Sequence, residues 1–139
     1  MAETQQVKAG VRFKSICTQF IVPDVVKAAE YYRDVLGFRI LGYFLDPPVF
    51  AMVARDGVEM HFGKADEGQA PSPNLQRRHE IGIDAYIWVN DVDALYAELK
   101  ARGAKIIDTP VKRVYNCYEM TVEDNFGFRL VFSGDFQNP

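Results

Sequence analysis

The sequence predicts an α+β fold built from two βαβββ repeats. The chain has 139 residues, which is the size of a single domain. Hydrophobic residues make up 48% of it and charged residues 25%, as in globular proteins. The decisive observation is an internal repeat, in which a strand ends at Val22 or Val89 and an aspartate, Asp24 or Asp91, follows.

Each copy of the repeat carries the signals of a strand, a helix and a return strand. The carboxylate of Asp24 or Asp91 can accept hydrogen bonds from the first turn of a helix. Apolar residues then recur at helical spacing in both copies, at Val25, Ala29, Tyr32 and Leu36 and at Val92, Leu95, Tyr96 and Leu99. Gly37 and Gly103 follow, where the chain is expected to adopt a left-handed conformation and turn back.

Further strand signals follow each helix, at 38–44, 50–54 and 58–62 and again at 105–107, 115–123 and 128–133. We therefore predict a single domain over 1–139, with repeat 1 at about 14–63, a linker at 64–80, repeat 2 at about 81–134 and a flexible arm at 1–12. A single βαβββ unit has one helix, which covers one face of its sheet and leaves the other face uncovered. We expect the two units to form a cupped eight-stranded sheet with the helices outside, around a cavity closed within the chain or between subunits.

Charge and cysteine content exclude several classes of protein. The net charge of −3 argues against nucleic-acid binding, which needs a basic surface. No apolar run approaches the roughly 18 residues that span a bilayer, so we expect no membrane partner. Cys17 and Cys117 lie far apart and form no zinc pattern. With no signal peptide in the polar start, a cytoplasmic location is expected.

Two segments carry a resemblance to a known family. They run from Val22-Pro23-Asp24-Val25 to Leu36-Gly37-Phe38, and from Glu119 through the Asp124-Asn125-Phe126-Gly127 turn to Phe128. This pattern resembles the vicinal oxygen chelate superfamily, which contains glyoxalase I, bleomycin-resistance proteins, fosfomycin-resistance enzymes and extradiol dioxygenases. The resemblance covers about 14–134. It implies the fold, but the same fold hosts enzymes and proteins that only bind drugs.

The resemblance also implies where a metal site would lie. Metal-dependent members place one His, Gln or Glu ligand on each of four strands, and the corresponding positions here are Cys17, Glu59, Asp84 and Val131. Because valine cannot bind a metal, we expect no metal cofactor. The alternative is an atypical divalent-metal site at Glu59, His61 and Asp84, with Cys17 nearby, since His61 shares a strand face with Glu59.

Strand alternation predicts which side chains line the cavity. Pairing the last two strands across Asp124–Gly127 places Met120 opposite Val131 and Tyr118 opposite Ser133. The expected ligand-binding residues combine aromatic and polar groups: Gln19, Glu59, His61, Asp84, Tyr86, Trp88, Tyr118, Met120 and Arg129. Such a set suits a bulky organic ligand, and the carboxylates favour a cation.

These residues, with the resemblance, favour a homodimeric, metal-independent binding protein of the bleomycin-resistance type. It would protect the cell by sequestering an aromatic or cationic compound, an antibiotic-resistance function. The alternative is an enzyme, either a divalent-metal lyase, isomerase or dioxygenase with the atypical ligand set, or a metal-free isomerase with Glu59 or His61 as base. No catalytic residue is identified. A third interpretation is that the aromatic residues only fill a small barrel.

Overall fold

Two βαβββ units follow one another along the chain in the computed structural model, which describes residues 10–135, and this confirms the predicted fold class. The elements are β1 (Thr18–Val22), α1 (Val25–Asp34), β2 (Arg39–Phe44), β3 (Phe50–Arg55), β4 (Val58–Lys64), β5 (Ala85–Trp88), α2 (Val92–Ala101), β6 (Lys105–Lys112), β7 (Tyr118–Glu123) and β8 (Arg129–Gly134). Most of the predicted N-terminal arm, residues 1–9, lies outside the described residues. Within residues 10–135, no helix has the length and apolarity needed to cross a membrane.

The eight strands form two four-stranded sheets. Sheet A has the order β1-β4-β3-β2 and sheet B the order β5-β8-β7-β6, so each unit contributes one sheet. In each sheet the first and last strands of the unit pair in parallel and the other pairs are antiparallel. The repeat seen in the sequence is therefore a repeat of topology.

The helix ends are formed by the residues expected from the sequence. Asp24 Oδ1 accepts hydrogen bonds from the backbone N–H of Val26 at 3.1 Å and of Lys27 at 3.0 Å. Asp91 Oδ1 accepts one from Ala94 N–H at 3.0 Å. Gly37 and Gly103 have φ values of +77° and +87°, which side chains disfavour, and each lets the chain leave its helix.

One hydrophobic core is shared by the helix-facing sides of both sheets. Phe20 of β1 stacks on Phe128, just before β8, with ring centroids 4.3 Å apart. Val22, Leu130 and Phe132 also lie in this core, as predicted. Because the two helix-facing sides are buried against each other, the opposite faces of sheets A and B are turned away from the core. We call these the open faces.

Among residues 10–135, two side-chain pairs join the units at the margins of the core. The fully buried hydroxyl of Tyr32 donates to Asp124 Oδ2 at 2.7 Å. Burial raises the pKa of Asp124, while the Tyr32 hydroxyl and two backbone N–H groups oppose that rise. On the other side, Arg55 donates to both carboxylate oxygens of Glu98, at 2.7 and 2.8 Å, and to the carbonyl oxygen of Leu36 at 2.9 Å.

Substituting Tyr32→Phe tests the first contact. We expect it to lower the free energy of unfolding by about 1–3 kcal/mol, because the buried carboxylate of Asp124 loses a donor. The hydroxyl lowers the pKa of Asp124 in the folded state, so the loss should be largest where Asp124 is ionised and should shrink as pH falls. Urea unfolding at several pH values measures this. Tyr43→Phe, which removes a hydroxyl from an exposed tyrosine, is the control; equal losses in both variants would contradict the prediction.

Candidate functional site

A buried carboxylate, Glu119 of β7, organises the open face of sheet B. Its side chain belongs to a residue only 3% exposed, yet it is surrounded by donors. Tyr86 of β5 donates its hydroxyl to Glu119 Oε2 at 2.6 Å. Tyr115 donates its hydroxyl to Oε1, and Arg113 Nε donates to the same oxygen at 3.2 Å. Arg113 also donates to Asp108 Oδ2 at 3.2 Å, which ties β6 to the network.

A cavity of about 330 Å³ lies over this network. Its walls come from sheet B and from the linker that precedes β5, and they include Leu75, Ile81, Tyr86, Arg113, Tyr115, Glu119, Thr121, Arg129 and Val131. The volume is at the lower end of the range for small-molecule sites. Rings, aliphatic groups and a few fixed polar groups therefore meet here, as a site for an organic ligand requires.

The tyrosine hydroxyls stay protonated in this environment. Burial, together with the hydrogen bond to Glu119, raises the pKa of Tyr86 far above its usual value. Burial and the same carboxylate also raise the pKa of Tyr115. Both phenols consequently act as hydrogen-bond donors at neutral pH, and neither is suited to act as a base. The network can orient a ligand, and the carboxylate at its centre, Glu119, is already bonded to three donors.

Trp88 extends the aromatic surface along β5. Its side chain is 65% exposed, and its ring lies 5.2 Å from that of Tyr86 in an edge-to-face arrangement. The side chains of β5 alternate between the two faces of the sheet as predicted. Tyr86 and Trp88 lie on the open face, while Ala85 and Ile87 pack against the core. An exposed indole beside a buried polar network offers a flat surface for stacking.

The predicted pairing of β7 with β8 was wrong by one residue. Thr121, not Met120, pairs with Val131, and Glu119, not Tyr118, pairs with Ser133. A shift of one residue turns every side chain of a strand to the other face. Met120 is accordingly fully buried in the core, and Tyr118 donates its hydroxyl to Asp93 of α2 at 2.6 Å. Neither residue lies on the open face.

Three of the predicted site residues lie together on the open face of sheet A. Gln19 of β1 is the pairing partner of His61 of β4. His61 Nε2 is 2.5 Å from Glu59 Oε2, and the thiol of Cys17 donates to the backbone carbonyl oxygen of Glu59 at 3.4 Å. Burial and the charge of Glu59 raise the pKa of Cys17. Potential ligand atoms of Cys17, Glu59 and His61 all lie within 4.8 Å of one another.

The remaining positions of the family's metal pattern do not complete this cluster. Both carboxylate oxygens of Asp84 are occupied by backbone N–H groups, Oδ1 by Asn74 at 2.9 Å and Oδ2 by Arg129 at 2.8 Å. Asp84 thus fastens the linker and β8 to the start of β5. Val131 lies on sheet B and has no ligand atom. The donor set present is therefore confined to sheet A, whereas the family pattern draws on strands of both units.

Arg129 lies on the open face of sheet B as predicted, and its Nε donates to Glu123 Oε1 at 3.2 Å. Sequence reasoning missed the neighbouring residues Arg113, Tyr115 and Glu119. The signal was available in Gly127, which has a φ of +89° and ends a three-residue turn in which Asp124 N–H donates to the Phe128 carbonyl oxygen at 2.8 Å. A three-residue hairpin loop that ends in a left-handed glycine is one residue longer than the turn behind the predicted pairing.

Comparison with known proteins places the chain among relatives of this fold. The sequence of residues 14–132 matches the family model of the glyoxalase/bleomycin resistance protein/dioxygenase superfamily. No curated protein is a significant match to the sequence.

Several solved structures are similar over nearly the whole chain. TioX from Micromonospora sp. ML1 is 19% identical, with a TM-score of 0.68, over 89% of this chain and 100% of its own. The bleomycin-binding protein of Streptomyces verticillus, solved with copper(II)-bleomycin, is 22% identical, with a TM-score of 0.67, over 91% of this chain and 99% of its own. A glyoxalase-related enzyme from Clostridium phytofermentans is 16% identical, with a TM-score of 0.71, over 93% of this chain and 100% of its own.

The likeness to these structures is one of fold, since all three identities are low. The family match spans most of the chain, includes both βαβββ units and agrees with the observed topology. The protein is therefore a member of the glyoxalase/bleomycin resistance protein/dioxygenase superfamily.

Proposed function

We propose that the protein binds a small aromatic or cationic compound, without a metal and without chemical change, at the open face of sheet B. The observation that carries this proposal is the network of Tyr86, Tyr115 and Arg113 around Glu119, beneath a cavity of about 330 Å³. Its polar groups are already held in place by one another. A ligand can therefore bind without first ordering the site, which reduces the entropic cost of binding.

The charges of the site support a cationic ligand. The carboxylates of Glu80, Asp108 and Glu119 and the guanidinium groups of Arg113 and Arg129 line the cavity, so negative charge is in slight excess. The exposed Trp88 beside it can add stacking or a cation–π contact. The bleomycin-binding protein of similar fold was solved with copper(II)-bleomycin, which makes bleomycin and other planar cations the first compounds to test. Sequestering such a compound would confer resistance to it.

A second copy of the chain would complete the site. The open faces of the two sheets do not cover each other within one chain, and apolar side chains remain exposed on them, including Ile21, Phe44 and Trp88. In a twofold homodimer, sheet A of one protomer can cover sheet B of the other. That arrangement would bring Gln19, Glu59 and His61 of one protomer to the cavity of its partner and bury these apolar groups.

Ligand binding can be followed by the fluorescence of Trp88, which is the only tryptophan in the chain. We expect bleomycin or another planar aromatic cation to quench it saturably. Tyr86→Phe should weaken binding about tenfold, because Glu119 loses one of the three donors that hold it and the site must then be ordered on binding. Tyr118→Phe is the matched control, since that hydroxyl contacts Asp93 on the helix side. Equal affinity of wild type and Tyr86→Phe for every compound that binds would refute the assigned site.

The dimer is tested by sedimentation. The wild type should sediment at about twice the chain mass of 15.8 kDa. Phe44→Glu should produce monomers, because it places a charge on the open face of sheet A, and Ala97→Glu on the exposed side of α2 should not. A wild-type species of 15.8 kDa at all concentrations would rule out the dimer but leave the sheet B cavity to be tested separately.

A metal-dependent enzyme is the second candidate function, and the cluster of Cys17, Glu59 and His61 favours it. A thiolate, a carboxylate and an imidazole suit zinc, and three protein ligands with one open position are typical of catalytic zinc sites. A bound divalent cation there would polarise a carbonyl or activate water. The present contact between Glu59 and His61 would have to open to admit the ion.

Metal analysis separates the two candidates. For the binding protein, we expect less than stoichiometric metal after purification and after incubation with Zn²⁺ followed by desalting. One retained transition metal ion per chain, lost in His61→Ala and kept in His79→Ala, would support the enzyme and contradict metal-independent binding.

A further inference from the structure

A second cavity, of about 390 Å³, lies between the two units, away from the network around Glu119. It is enclosed by the turn between β3 and β4 on one side and by β5 and the start of α2 on the other. The apolar residues of its wall include Leu36, Val58, Ile87, Trp88, Leu95 and Phe132. Its volume falls within the range of small-molecule sites.

The internal repeat explains why space is left at this position. Ile87 pairs with Phe132 as Phe20 pairs with Phe62, so Ile87 and Phe20 occupy equivalent positions in the two units. Val58 and Phe128 are also equivalent, because each lies four residues before the residue that pairs with Phe20 or Ile87, namely Phe62 or Phe132.

The two equivalent interfaces differ in how they are filled. At one, the rings of Phe20 and Phe128 stack 4.3 Å apart and close the space between the units. At the other, the same two positions hold Ile87 and Val58, which are aliphatic and smaller, and the cavity remains. Each interface also has a polar side-chain contact, Tyr32 with Asp124 at one and Arg55 with Glu98 at the other. The cavity thus lies at the position where the other interface has its aromatic stack.

The solvent-exposed part of the cavity wall is acidic. Asp56 and Asp91 are exposed there, and the guanidinium of Arg55 is held by both oxygens of Glu98. Arg102 Nε also donates to Glu98, at 3.1 Å. The three carboxylates and the two guanidinium groups at the entrance therefore carry one net negative formal charge. An apolar interior with an anionic entrance is complementary to an amphipathic amine.

We propose that this inter-unit cavity is a second ligand site, which takes a small organic cation with a single ring or a branched alkyl group, the apolar part entering between Val58 and Ile87 and the ammonium group facing Asp56. The ring or alkyl group of the ligand would occupy the space that the rings of Phe20 and Phe128 fill at the other interface. This site contains none of Tyr86, Arg113, Tyr115 and Glu119, although Trp88 borders it as well as the surface proposed on sheet B, and it is formed within a single chain.

Benzylammonium chloride is the probe for this site, followed by chemical-shift changes in the full-length ¹⁵N-labelled protein. We expect saturable shifts centred on the amides of Val58, Ile87 and Leu95. The double variant Val58→Phe/Ile87→Phe, which recreates the aromatic pair of the other interface, should weaken binding at least tenfold. Tyr86→Phe should bind the probe as the wild type does. Benzyl alcohol, which has the ring without the charge, should bind more weakly.

Asp56→Asn provides a test that does not depend on repacking. Asp56 has a φ of +50°, a conformation that asparagine also tolerates, so this variant should keep the fold. It should weaken benzylammonium binding about threefold and leave benzyl alcohol unchanged, as expected for one exposed charge. No saturable shifts at this cavity, or undiminished binding in a folded Val58→Phe/Ile87→Phe variant, would overturn the proposal. Loss of binding in Tyr86→Phe alone would place the probe on sheet B and also overturn it.

Discussion

The burial of both helix-facing sheet sides in one core determines the rest of this structure. Each βαβββ unit has an apolar side under its helix, and the stack of Phe20 on Phe128 and the hydrogen bond from Tyr32 to Asp124 lock the two sides together. With these sides joined, the other face of each sheet is left open. The candidate groups are consequently divided between two faces of one chain, which is the physical reason for expecting a second copy to bring them together.

The open face of sheet B shows how a buried carboxylate is stabilised by neighbouring side chains. Glu119 is nearly inaccessible, and its charge is compensated by Arg113 and by two phenolic hydroxyls. An unpaired carboxylate at this depth would cost several kcal/mol, so the three donors are required for stability as well as for shaping the cavity. The same contacts keep Tyr86 and Tyr115 protonated, which favours ligand orientation over proton transfer as the role of this face.

The two interfaces between the units illustrate how a repeated fold diverges. Both have a polar side-chain contact to a helix, but only one has the aromatic stack. Where the positions of the stack hold Ile87 and Val58, a cavity of about 390 Å³ remains. The smaller side chains at this interface thus leave a cavity where the two phenylalanines fill the space at the other.

The sequence by itself determined the element order, both helix caps, the two glycine turns and the alternation of β1 and β5, because each depends on local hydrogen bonding or on strand periodicity. It placed Tyr86, Trp88, Glu59 and His61 correctly on the open faces for the same reason. The pairing of β7 with β8 also depends on a local turn, but two turn lengths fit the sequence, and the observed three-residue turn exchanges Met120 for Glu119. Only the tertiary structure decided that both carboxylate oxygens of Asp84 are bonded to backbone N–H groups and that the two open faces are separate, because both depend on contacts between residues distant in the chain.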